Sequence, residues 1–309
     1  MEKCLVLGAG GFIGKSLCKE LTKKYKVIAY SRKQSEILNS LSNLEFIEGD
    51  FVTEENFCDI LLGVDKVFHF ISTTIPMDNT NNADKEVLEN VIPTIRLLEA
   101  MHKSGTKEII FASSGGTIYG ETGEHKNQVT DFLNPICSYG VQKKIIESYL
   151  QFYHVRYGIC HKIIRISNPY GIGQAVEKPQ GVIPIFIRNI FRGEKISVFG
   201  DGENFRDYIY LEDLVQAIIK VAEYTGKEHI FNIGTGKVYS LKEIIHFIET
   251  ITNKKFCQIE YKSNRICDVH KSLLEVDSTY KELDWKPSIS IEDGIQKICN
   301  YYQSCLEDM

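Results

Sequence analysis

The fold is decided by Leu5-Val6-Leu7-Gly8-Ala9-Gly10-Gly11-Phe12-Ile13-Gly14, near the start of the chain. This stretch joins an apolar strand pattern to a helical pattern through a turn rich in glycine. A turn without side chains lets a pyrophosphate approach the backbone, and the following helix offers free N–H groups and its positive dipole end. Glycine spacing alone also fits an ordinary tight turn. At the first strand–helix junction, however, it predicts a dinucleotide site formed by Gly8, Gly11, Phe12, Ile13 and Gly14.

Around this stretch, short β-rich runs alternate with longer helical patterns through the first half of the chain. The runs are apolar almost throughout, as in strands buried on both faces of a parallel sheet. This alternation predicts an α/β fold with a Rossmann doubly wound parallel sheet. The predicted strands are Lys3–Leu7, Lys26–Tyr30, Leu44–Glu48, Lys66–Ile71, Glu108–Ala112 and His161–Ile166, and the predicted helices are Gly14–Lys24, Glu54–Leu62, Ala83–Lys103 and Tyr139–Tyr157.

The pattern changes after Asn168, where Gly, Pro and polar loops separate shorter elements such as Ile183–Phe191 and Leu241–Ile251. We expect residues 1–168 to form the dinucleotide-binding domain and residues 169–309 to form a smaller C-terminal α/β substrate lobe. The division is not expected to be clean. Residues 211–233 hold a helix pattern and a strand pattern that can return to the first domain.

Composition excludes several classes of protein. The 309 residues are 43% hydrophobic and 25% charged, which is globular composition. The net charge of -5, with no Lys/Arg block, argues against a nucleic-acid partner. The most apolar window, Val182–Phe191, is far shorter than the ~20 residues that span a bilayer, so no membrane partner is expected. The nine cysteines form no Cys-x-x-Cys pair, which indicates reduced thiols in the cytoplasm and no metal site.

The end of the second strand indicates which dinucleotide is bound. An acidic residue there holds the ribose 2′-OH of NAD, whereas a basic one accepts the 2′-phosphate of NADP. Here Ser31 and Arg32 stand at that position and no acid does, which favours NADP(H) over NAD(H), although Arg32 also fits a solvated loop charge. Asp50 is placed to accept a hydrogen bond from an adenine amino group, as a plain turn aspartate would also be. Phe51 and Ser72 complete the expected cofactor contacts.

Tyr139-Gly140-Val141-Gln142-Lys143 supplies a candidate acid–base pair. Residues i and i+4 lie on one face of a helix, so the Lys143 ammonium can sit beside the Tyr139 phenol. A neighbouring cation favours phenolate and is expected to lower the pKa of the tyrosine from about 10. Such a group can exchange a proton with a carbinol while hydride moves to or from a nicotinamide. Alone, the pattern also fits an amphipathic helix with Tyr inward and Lys outward.

The glycine turn, the Tyr139/Lys143 pair and several further motifs make the chain resemble the extended short-chain dehydrogenase/reductase superfamily. Within it, the resemblance is to the branch of nucleotide-sugar epimerases, dehydratases and 4-ketoreductases, and it runs nearly from end to end. The order of the motifs is specific for the superfamily and much less so for one reaction. The motifs are the three glycines, Ser113–Gly120, the Tyr139/Lys143 pair, Arg165–Gly171, Phe205–Ile209, Asn232–Gly234 and the spacing Arg265-x-x-Asp268.

The resemblance implies that Tyr139 is the acid/base and that Lys143 also bonds the nicotinamide ribose. The family places a catalytic Ser or Thr four residues before the Tyr of its Tyr-Gly pair, and that position is Gly115 here. The hydroxyl is therefore expected from Ser114 or Thr117, and the sequence leaves that choice open. The resemblance also implies a homodimer with a four-helix interface, in line with the apolar surface that Ala83–Lys103 and Tyr139–Tyr157 carry.

For the second lobe, the resemblance implies a nucleotide-sugar partner. Arginine forks suit diphosphate oxygens, although a single arginine is as often part of a surface salt bridge. Asn168 is expected to contact a phosphate, Asp268 a ribose hydroxyl and Val182 the sugar. The implied substrate residues are Asn168, Val182, Ser197, Phe199, Arg206, Tyr208, Arg265 and Asp268.

Three functions fit these motifs. The first is NADPH-dependent reduction of a nucleotide-4-keto-6-deoxyhexose, the second a UDP-hexose 4-epimerase with retained NAD, and the third a non-catalytic dinucleotide sensor. The intact Tyr139/Lys143 pair argues against the sensor. Ser31-Arg32, Gly115 and Ser72-Thr73, which replace two alanines common in the family's epimerases, favour the reductase over the epimerase, and either would serve nucleotide-sugar metabolism such as polysaccharide biosynthesis. A 4,6-dehydratase needs an Asp-Glu pair where Gly116-Thr117 stand, which argues against that reaction.

Overall fold

A computed structural model of the chain describes residues 1–76, 83–176, 181–264 and 267–307. The chain divides into two compact units. Unit 1 comprises Met1–Ser114, Cys137–Arg165 and Val215–Phe231. Unit 2 comprises Gly115–Ile136, Ile166–Leu214 and Asn232–Met309. Among the described residues, no helix combines the length and the apolar character needed to cross a bilayer.

A seven-stranded sheet organises the first unit. Its strand order is β3-β2-β1-β4-β5-β6-β10. The chain begins at β1 in the middle of the sheet and adds β2 and β3 toward one edge. It then crosses back and adds β4, β5, β6 and β10 toward the other edge. The pairs among β1 to β5 are parallel, with Leu5 of β1 opposite Ile28 of β2 and Val67 of β4. This is the doubly wound order that the alternating pattern predicts. The strands are β1 Lys3–Leu7, β2 Lys26–Ser31, β3 Leu44–Glu48, β4 Lys66–His69, β5 Glu108–Ser114, β6 Cys160–Ile166 and β10 Ile230–Ile233.

Helices flank this sheet and their ends follow local sequence. Gly105 and Gly158, both with positive φ, end the fifth and sixth helices, because a left-handed residue stops helical hydrogen bonding. The predicted helix Ala83–Lys103 is in fact interrupted by a π-helical turn over Val87–Val91, and the predicted helix Glu54–Leu62 is one short turn. The helices are α1 Phe12–Leu21, α2 Glu36–Asn39, α3 Phe57–Ile60, α4 Ala83–Glu86, α5 Ile92–Ser104 and α6 Ser138–Tyr157.

The core of unit 1 lies between the sheet and its helices. Strand side chains such as Leu5, Ile28 and Phe111 pack with Leu98 of α5 and Leu150 of α6. All five are at most 2% exposed. Burying a leucine or phenylalanine side chain contributes about 1.5–3 kcal/mol, so this cluster fixes the strand ends on which the candidate site is built.

Unit 2 holds shorter elements around its own apolar cluster. Ile183, Phe186 and Ile187 pack with Ile244 and Ile295 from two other helices. A capping box between Ser240 and Glu243 starts the ninth helix, since each side chain bonds the other's backbone N–H. The remaining elements of the chain, of which α8 lies mostly in unit 1, are β7 Asn168–Tyr170, α7 Val182–Arg192, β8 Ile196–Phe199, β9 Phe205–Tyr210, α8 Leu211–Glu223, β11 Val238–Ser240, α9 Leu241–Thr252, β12 Ile259–Lys262, β13 Lys271–Ser272, α10 Asp277–Leu283 and α11 Ile291–Glu307.

Candidate active site

The glycine turn joins β1 to α1 in the way the sequence predicts. Gly8 has φ of +90°, and its N–H and that of Ala9 donate to the Tyr30 carbonyl at 3.1 and 3.2 Å. A Cβ on Gly14 would lie 2.1 Å from the Gly8 oxygen, so the helix approaches the turn this closely only with glycine. Gly11 caps α1 without a side-chain hydrogen bond, which leaves the first turn of the helix open to an anion. Phe12 and Ile13 begin that turn, and the geometry fits a dinucleotide pyrophosphate.

Other predicted cofactor residues follow the carboxyl ends of neighbouring strands, which share one edge of a parallel sheet. Ser31 ends β2 and its Oγ donates to the Lys33 carbonyl at 2.8 Å. Arg32 is exposed and has no ion pair or hydrogen bond with any residue described in the structure. Asp50, after β3, is exposed and accepts from the Val52 N–H at 3.0 Å.

Phe51 differs from its neighbours because its side chain is 3% exposed. Its ring lies 5.6 Å from that of Phe57 and 5.0 Å from that of His69, measured between centroids. The ring therefore contributes to the core of unit 1. The sequence placed Phe51 among the cofactor contacts, and that role stays a prediction.

Tyr139 and Lys143 stand on the first turns of α6. The Cys137 Sγ caps this helix by accepting from the Gly140 N–H at 3.4 Å. The Lys143 Nζ donates to the Ala112 carbonyl of β5 at 2.9 Å and lies 5.5 Å from the centre of the Tyr139 ring. The side chain of Lys143 is buried, while Tyr139 stays partly exposed. The helix thus places the two side chains side by side.

Burial and neighbouring charges shift the pKa values of Tyr139 and Lys143 in opposite directions. Burial lowers the pKa of Lys143 to about 8, and the nearby carboxylates of Glu86 and Glu147 act against that decrease. Burial raises the pKa of Tyr139 above its usual value of 10.0, Cys137 and Glu86 raise it further, and a hydrogen bond with Ser72 lowers it. The sequence predicted a lowered Tyr139 pKa, and the structure shows the opposite direction. The desolvation of the phenol is the largest influence on its pKa, so Tyr139 is a phenol at neutral pH.

The two candidate hydroxyls next to Gly115 lie in different surroundings. Ser114 is the last residue of β5 and is buried in unit 1. Thr117 belongs to unit 2 and is half-buried. Gly115 itself is fixed through its backbone, since its N–H donates to the Ile166 carbonyl at 2.7 Å and its carbonyl accepts from the Ser272 Oγ at 3.1 Å. The choice between Ser114 and Thr117 stays a prediction.

A polar frame that sequence reasoning missed holds the loop after β4. Thr73 donates from its N–H to the Asn90 Oδ1 at 3.0 Å and accepts at its Oγ1 from the Asn90 Nδ2 at 2.9 Å. Thr74 donates its hydroxyl to Glu86 and accepts from the Gln142 Nε2 at 2.9 Å. Glu86 and Gln142 are each 2% exposed. A charged residue in an amphipathic helix pattern predicts solvent exposure, so no sequence signal indicated the burial of Glu86.

A second buried network lies behind Lys143. The Arg165 guanidinium makes two bonds to Glu147, Nε to Oε1 at 3.2 Å and a terminal nitrogen to Oε2 at 2.7 Å. The Ser113 hydroxyl donates to the same Oε1 at 2.5 Å. Glu147 follows Lys143 by four residues on α6, so this network holds the helix face that carries the acid–base pair. The sequence motifs included Ser113 and Arg165 without revealing their common partner.

Several predicted substrate residues lie together in unit 2. Arg206 of β9 forms an ion pair with Asp268 and also donates to the Phe205 carbonyl at 2.8 Å. The Asn168 side chain donates to the Asp207 carbonyl at 3.0 Å. The structure thus joins Arg206 and Asp268 directly, whereas the predicted residue Arg265 lies outside the described residues.

The other predicted substrate residues lie on β8, on β9 and at the start of α7. The Ser197 Oγ donates to Glu260 at 3.4 Å across the β8–β12 pair, and the Phe199 ring lies 5.9 Å from the Lys262 ammonium. Tyr208 is buried, which raises the pKa of its phenol to about 12. Val182 is the first residue of α7 and is half-buried.

Asp207, between two of these residues, is a buried carboxylate that the sequence did not single out. It accepts from the Thr235 N–H at 2.9 Å, the Thr235 hydroxyl at 2.8 Å and the Gly236 N–H at 2.9 Å. Burial raises its pKa, and these hydrogen bonds oppose that rise. It therefore ties β9, which carries Arg206, to the loop after β10. Across the described residues, no cluster of three or more His, Cys, Asp or Glu side chains could hold a metal ion.

Comparison with known proteins agrees with this geometry. Residues 4–234 match the model of the NAD dependent epimerase/dehydratase family. The chain is 35% identical to a dTDP-4-dehydro-6-deoxyglucose reductase of Escherichia coli, over 95% of each chain. It is 32% identical to a putative UDP-glucose 4-epimerase of Methanocaldococcus jannaschii, over 97% of this chain and 98% of that one.

A solved structure extends the agreement to three dimensions. The UDP-glucose 4-epimerase of Thermotoga maritima, crystallised with UDP-glucose, superposes with a TM-score of 0.91 at 32% identity, over 98% of this chain and 99% of that one. The doubly wound sheet and the glycine turn both fit that relationship. The chain therefore belongs to the NAD dependent epimerase/dehydratase family, whose members related to it act on nucleotide-sugars.

Proposed function

We propose that the chain reduces a nucleotide-4-keto-6-deoxyhexose with NADPH. The observation that carries this proposal is Arg32, exposed directly after β2, where a guanidinium suits the 2′-phosphate of NADPH; Tyr139 beside Lys143 supplies the phenol. Reduction of a ketone needs a proton donor, whereas an epimerase must first remove a proton from its substrate. The 35% identity to a dTDP-4-dehydro-6-deoxyglucose reductase supports the same substrate class.

The chain's own residues account for the proton in this reaction. Tyr139 donates its phenolic proton to the carbonyl oxygen of the sugar, which becomes a hydroxyl. The Lys143 ammonium, 5.5 Å from the ring centre, stabilises the phenolate that remains. The glycine turn would hold the pyrophosphate of a reduced nicotinamide dinucleotide, which would supply the hydride when bound. Arg206 in unit 2 offers a guanidinium for the diphosphate of the substrate.

Cofactor preference gives the first prediction. A 2′-phosphate carries nearly two negative charges, so Arg32, which has no described partner, gains charged hydrogen bonds that a 2′-OH does not offer. Such a bond is worth roughly 1.5–3 kcal/mol, so we expect a roughly ten- to hundredfold preference for NADP(H) over NAD(H). The double variant Ser31→Asp/Arg32→Asn is expected to reverse it. Fluorescence titration of both cofactors against both proteins measures the change.

Arg156→Asn serves as the control, since it removes an equal charge from an exposed position at the end of α6. It is expected to leave the preference within about twofold, because salt screens an exposed charge that makes no direct contact with the cofactor. Equal binding of NAD and NADP by the wild type would contradict the role of Arg32 and would favour retained NAD.

The reaction is tested directly with purified protein. dTDP- and UDP-linked 4-keto-6-deoxyglucose are supplied with NADPH or NADH, and consumption of the reduced cofactor is followed by its absorbance. Cofactor consumption that depends on the 4-keto sugar is the expected result. No consumption with either nucleotide, together with interconversion of UDP-glucose and UDP-galactose, would refute the reductase.

The second candidate is a UDP-hexose 4-epimerase with retained NAD. The observation that favours it is the TM-score of 0.91 with the Thermotoga maritima UDP-glucose 4-epimerase. This reaction would use Tyr139 as a base first and as an acid afterwards. It is distinguished by a dinucleotide that stays bound during purification and by turnover without added cofactor. The nine cysteines, all free, support a cytoplasmic location for either enzyme.

We also propose a homodimer formed through the helices of unit 1. Leu88, Phe152 and Val155 are 59%, 51% and 75% exposed, so both predicted interface helices carry apolar side chains that their own unit leaves uncovered. An isologous contact would bury them on both copies. Light scattering at micromolar concentration is expected to give twice the chain mass, and Phe152→Glu to halve it. A monomeric wild type would contradict the proposal.

A further inference from the structure

The loop after β4, residues 70–74, lies beside the glycine turn. The Phe70 N–H donates to the Leu7 carbonyl at 3.0 Å, and a Cβ on Gly8 would lie 3.0 Å from the carbonyl carbon and oxygen of Phe70. The chain leaves β1 toward β2 on one side and returns to β4 on the other, so the topology of the sheet switches between β1 and β4. Ligands of doubly wound sheets bind in the crevice at that point. Residues 70–74 therefore form one wall of the expected dinucleotide crevice, opposite the glycine turn.

A directed chain of hydrogen bonds holds this wall at Thr74. The Gln142 Nε2 donates to the Thr74 Oγ1 at 2.9 Å, and the Thr74 hydroxyl donates to Glu86. An amide nitrogen accepts no hydrogen bond and a hydroxyl has one proton, so both directions are fixed. Thr74, Glu86 and Gln142 are 3%, 2% and 2% exposed. In such a buried chain each bond strengthens the next, and a group left without its partner is costly.

Asn90 holds the wall one residue earlier. The Thr73 N–H donates to the Asn90 Oδ1 at 3.0 Å, and the Asn90 Nδ2 donates to the Thr73 Oγ1 at 2.9 Å. Asn90 lies in the π-helical turn Val87–Val91, and Glu86 directly precedes that turn. Single π-helical turns are frequent at functional sites. Here the irregular turn and the residue before it supply both side chains that reach the wall from this helix.

Gln142 connects the same wall to the helix of the acid–base pair. It stands on α6 directly before Lys143, whose Nζ donates to the Ala112 carbonyl of β5 at 2.9 Å. Two adjacent residues of α6 thus bond two neighbouring parts of one sheet edge, the end of β5 and the loop after β4. A displacement of the wall would therefore be transmitted to the turn of α6 that carries Lys143.

We propose that Gln142, Thr74 and Glu86 form a positioning relay that keeps the loop after β4 in place as the fixed wall of the dinucleotide crevice. The three side chains act through the backbone of the loop and not through contact with the cofactor. Because Gln142 belongs to α6, the relay also keeps the acid–base pair in register with the wall. The inference rests on the proposed function for the dinucleotide alone and is independent of the sugar that is reduced.

The test removes the hydroxyl at the centre of the relay. Thr74→Val has a similar shape but leaves Gln142 and Glu86 without their shared partner, whereas Thr74→Ser keeps the hydroxyl. NADPH and NADH are titrated by fluorescence against each protein. Thr74→Val is expected to raise the dissociation constant of the preferred dinucleotide about tenfold, as when the wall is in place about a tenth of the time. Thr74→Ser is expected to stay within about threefold of the wild type, since both hydrogen bonds can form.

Thr106→Val is the matched control for general destabilisation. Thr106 is also 3% exposed and shares a hydrogen bond with the Ser104 Oγ at 3.1 Å, but it precedes β5, at the sheet edge opposite the crevice. It is expected to leave the dissociation constant within about twofold, because it shares no partner with the relay. The proposal is overturned if Thr74→Val binds as tightly as the wild type, if Thr74→Ser loses as much affinity as Thr74→Val, or if Thr106→Val reproduces the loss.

A double-variant cycle examines whether the side chains act as one unit. Gln142→Met alone is expected to weaken dinucleotide binding about as much as Thr74→Val, and the double variant by no more than about a further twofold, since both changes break the same chain. Losses that multiply would overturn the relay. The KM for the nucleotide-sugar is expected to stay within about twofold throughout, because its proposed binding residues lie in unit 2.

The two proposals fail separately in these measurements. If the affinities change as expected but no 4-keto sugar is reduced, the proposed function fails and the relay stands. If the sugar is reduced but Thr74→Val leaves the dinucleotide affinity unchanged, the relay alone fails.

Discussion

Lys143→Ala is expected to lower turnover at least 100-fold. The Lys143 ammonium lies 5.5 Å from the centre of the Tyr139 ring and is the cation beside the phenol that loses its proton. Acid–base assistance contributes roughly 10²–10⁴ to a rate, and Tyr139, whose pKa burial already raises, depends on a cation to act as a donor. The measurement is kcat with the accepted nucleotide-sugar, with circular dichroism to confirm folding. Near-wild-type activity would remove Lys143 from the acid–base assignment.

Two controls separate charge from packing at this position. Lys143→Met keeps an unbranched chain of similar volume without the ammonium, so it is expected to lose as much activity as Lys143→Ala while disturbing the core less. Lys103→Ala removes an exposed lysine from the last turn of α5 and is expected to leave kcat unchanged. If Lys143→Met stays active while Lys143→Ala does not, the side chain acts through packing alone.

The same lysine sets an expected pH dependence. Its pKa in the folded chain is lowered to about 8 by burial, so the ammonium is largely present below pH 8 and is lost as the pH rises through that value. The stabilisation of the phenolate disappears with it. We therefore expect kcat to fall above about pH 8 in the wild type, and this limb to be absent from the residual activity of Lys143→Met.

The fold was predictable because central strands such as Lys3–Leu7, which are buried on both faces, leave continuous apolar runs, while the edge strand Leu44–Glu48 is only half-buried. The bounds of Lys3–Leu7 and Leu44–Glu48 agree with the structure residue for residue. The π-helical turn Val87–Val91 could not be predicted, because its sequence fits an ordinary α-helix equally well. The long helix Ile291–Glu307 was missed, although the apolar spacing of Ile291, Ile295 and Ile298 has a helical period.

The site was predictable where the functional residues lie close together in the sequence. The glycine turn and the Tyr139–Lys143 pair depend on neighbours in sequence, and the structure brings them together as expected. The contacts of Glu86 with Thr74 and of Glu147 with Arg165 depend on tertiary packing that single-sequence patterns do not contain. The direction of the Tyr139 pKa was wrong for the same reason, since burial outweighs a charge that sequence spacing alone can suggest.

The buried pair of Arg165 and Glu147 has a further consequence for stability. The two side chains are 2% and 6% exposed, so neither charge is solvated. The hydrogen bonds between the two groups compensate part of the free-energy cost of removing each charge from water. Removing one partner therefore leaves a charge buried without compensation, whereas removing both leaves no buried charge and only the Ser113 hydroxyl without its acceptor.

We expect Arg165→Met to lower the free energy of unfolding by about 3–5 kcal/mol, the usual cost of breaking a buried ion pair from one side. The double variant Arg165→Met/Glu147→Leu is expected to recover most of that loss, because Glu147 no longer needs a cation. Lys297→Met breaks an exposed pair with Glu212 at 2.8 Å and should change stability by no more than about 0.5 kcal/mol. Urea unfolding followed by circular dichroism measures all three. A double variant no more stable than Arg165→Met would show that the guanidinium stabilises α6 by bonds other than those to Glu147.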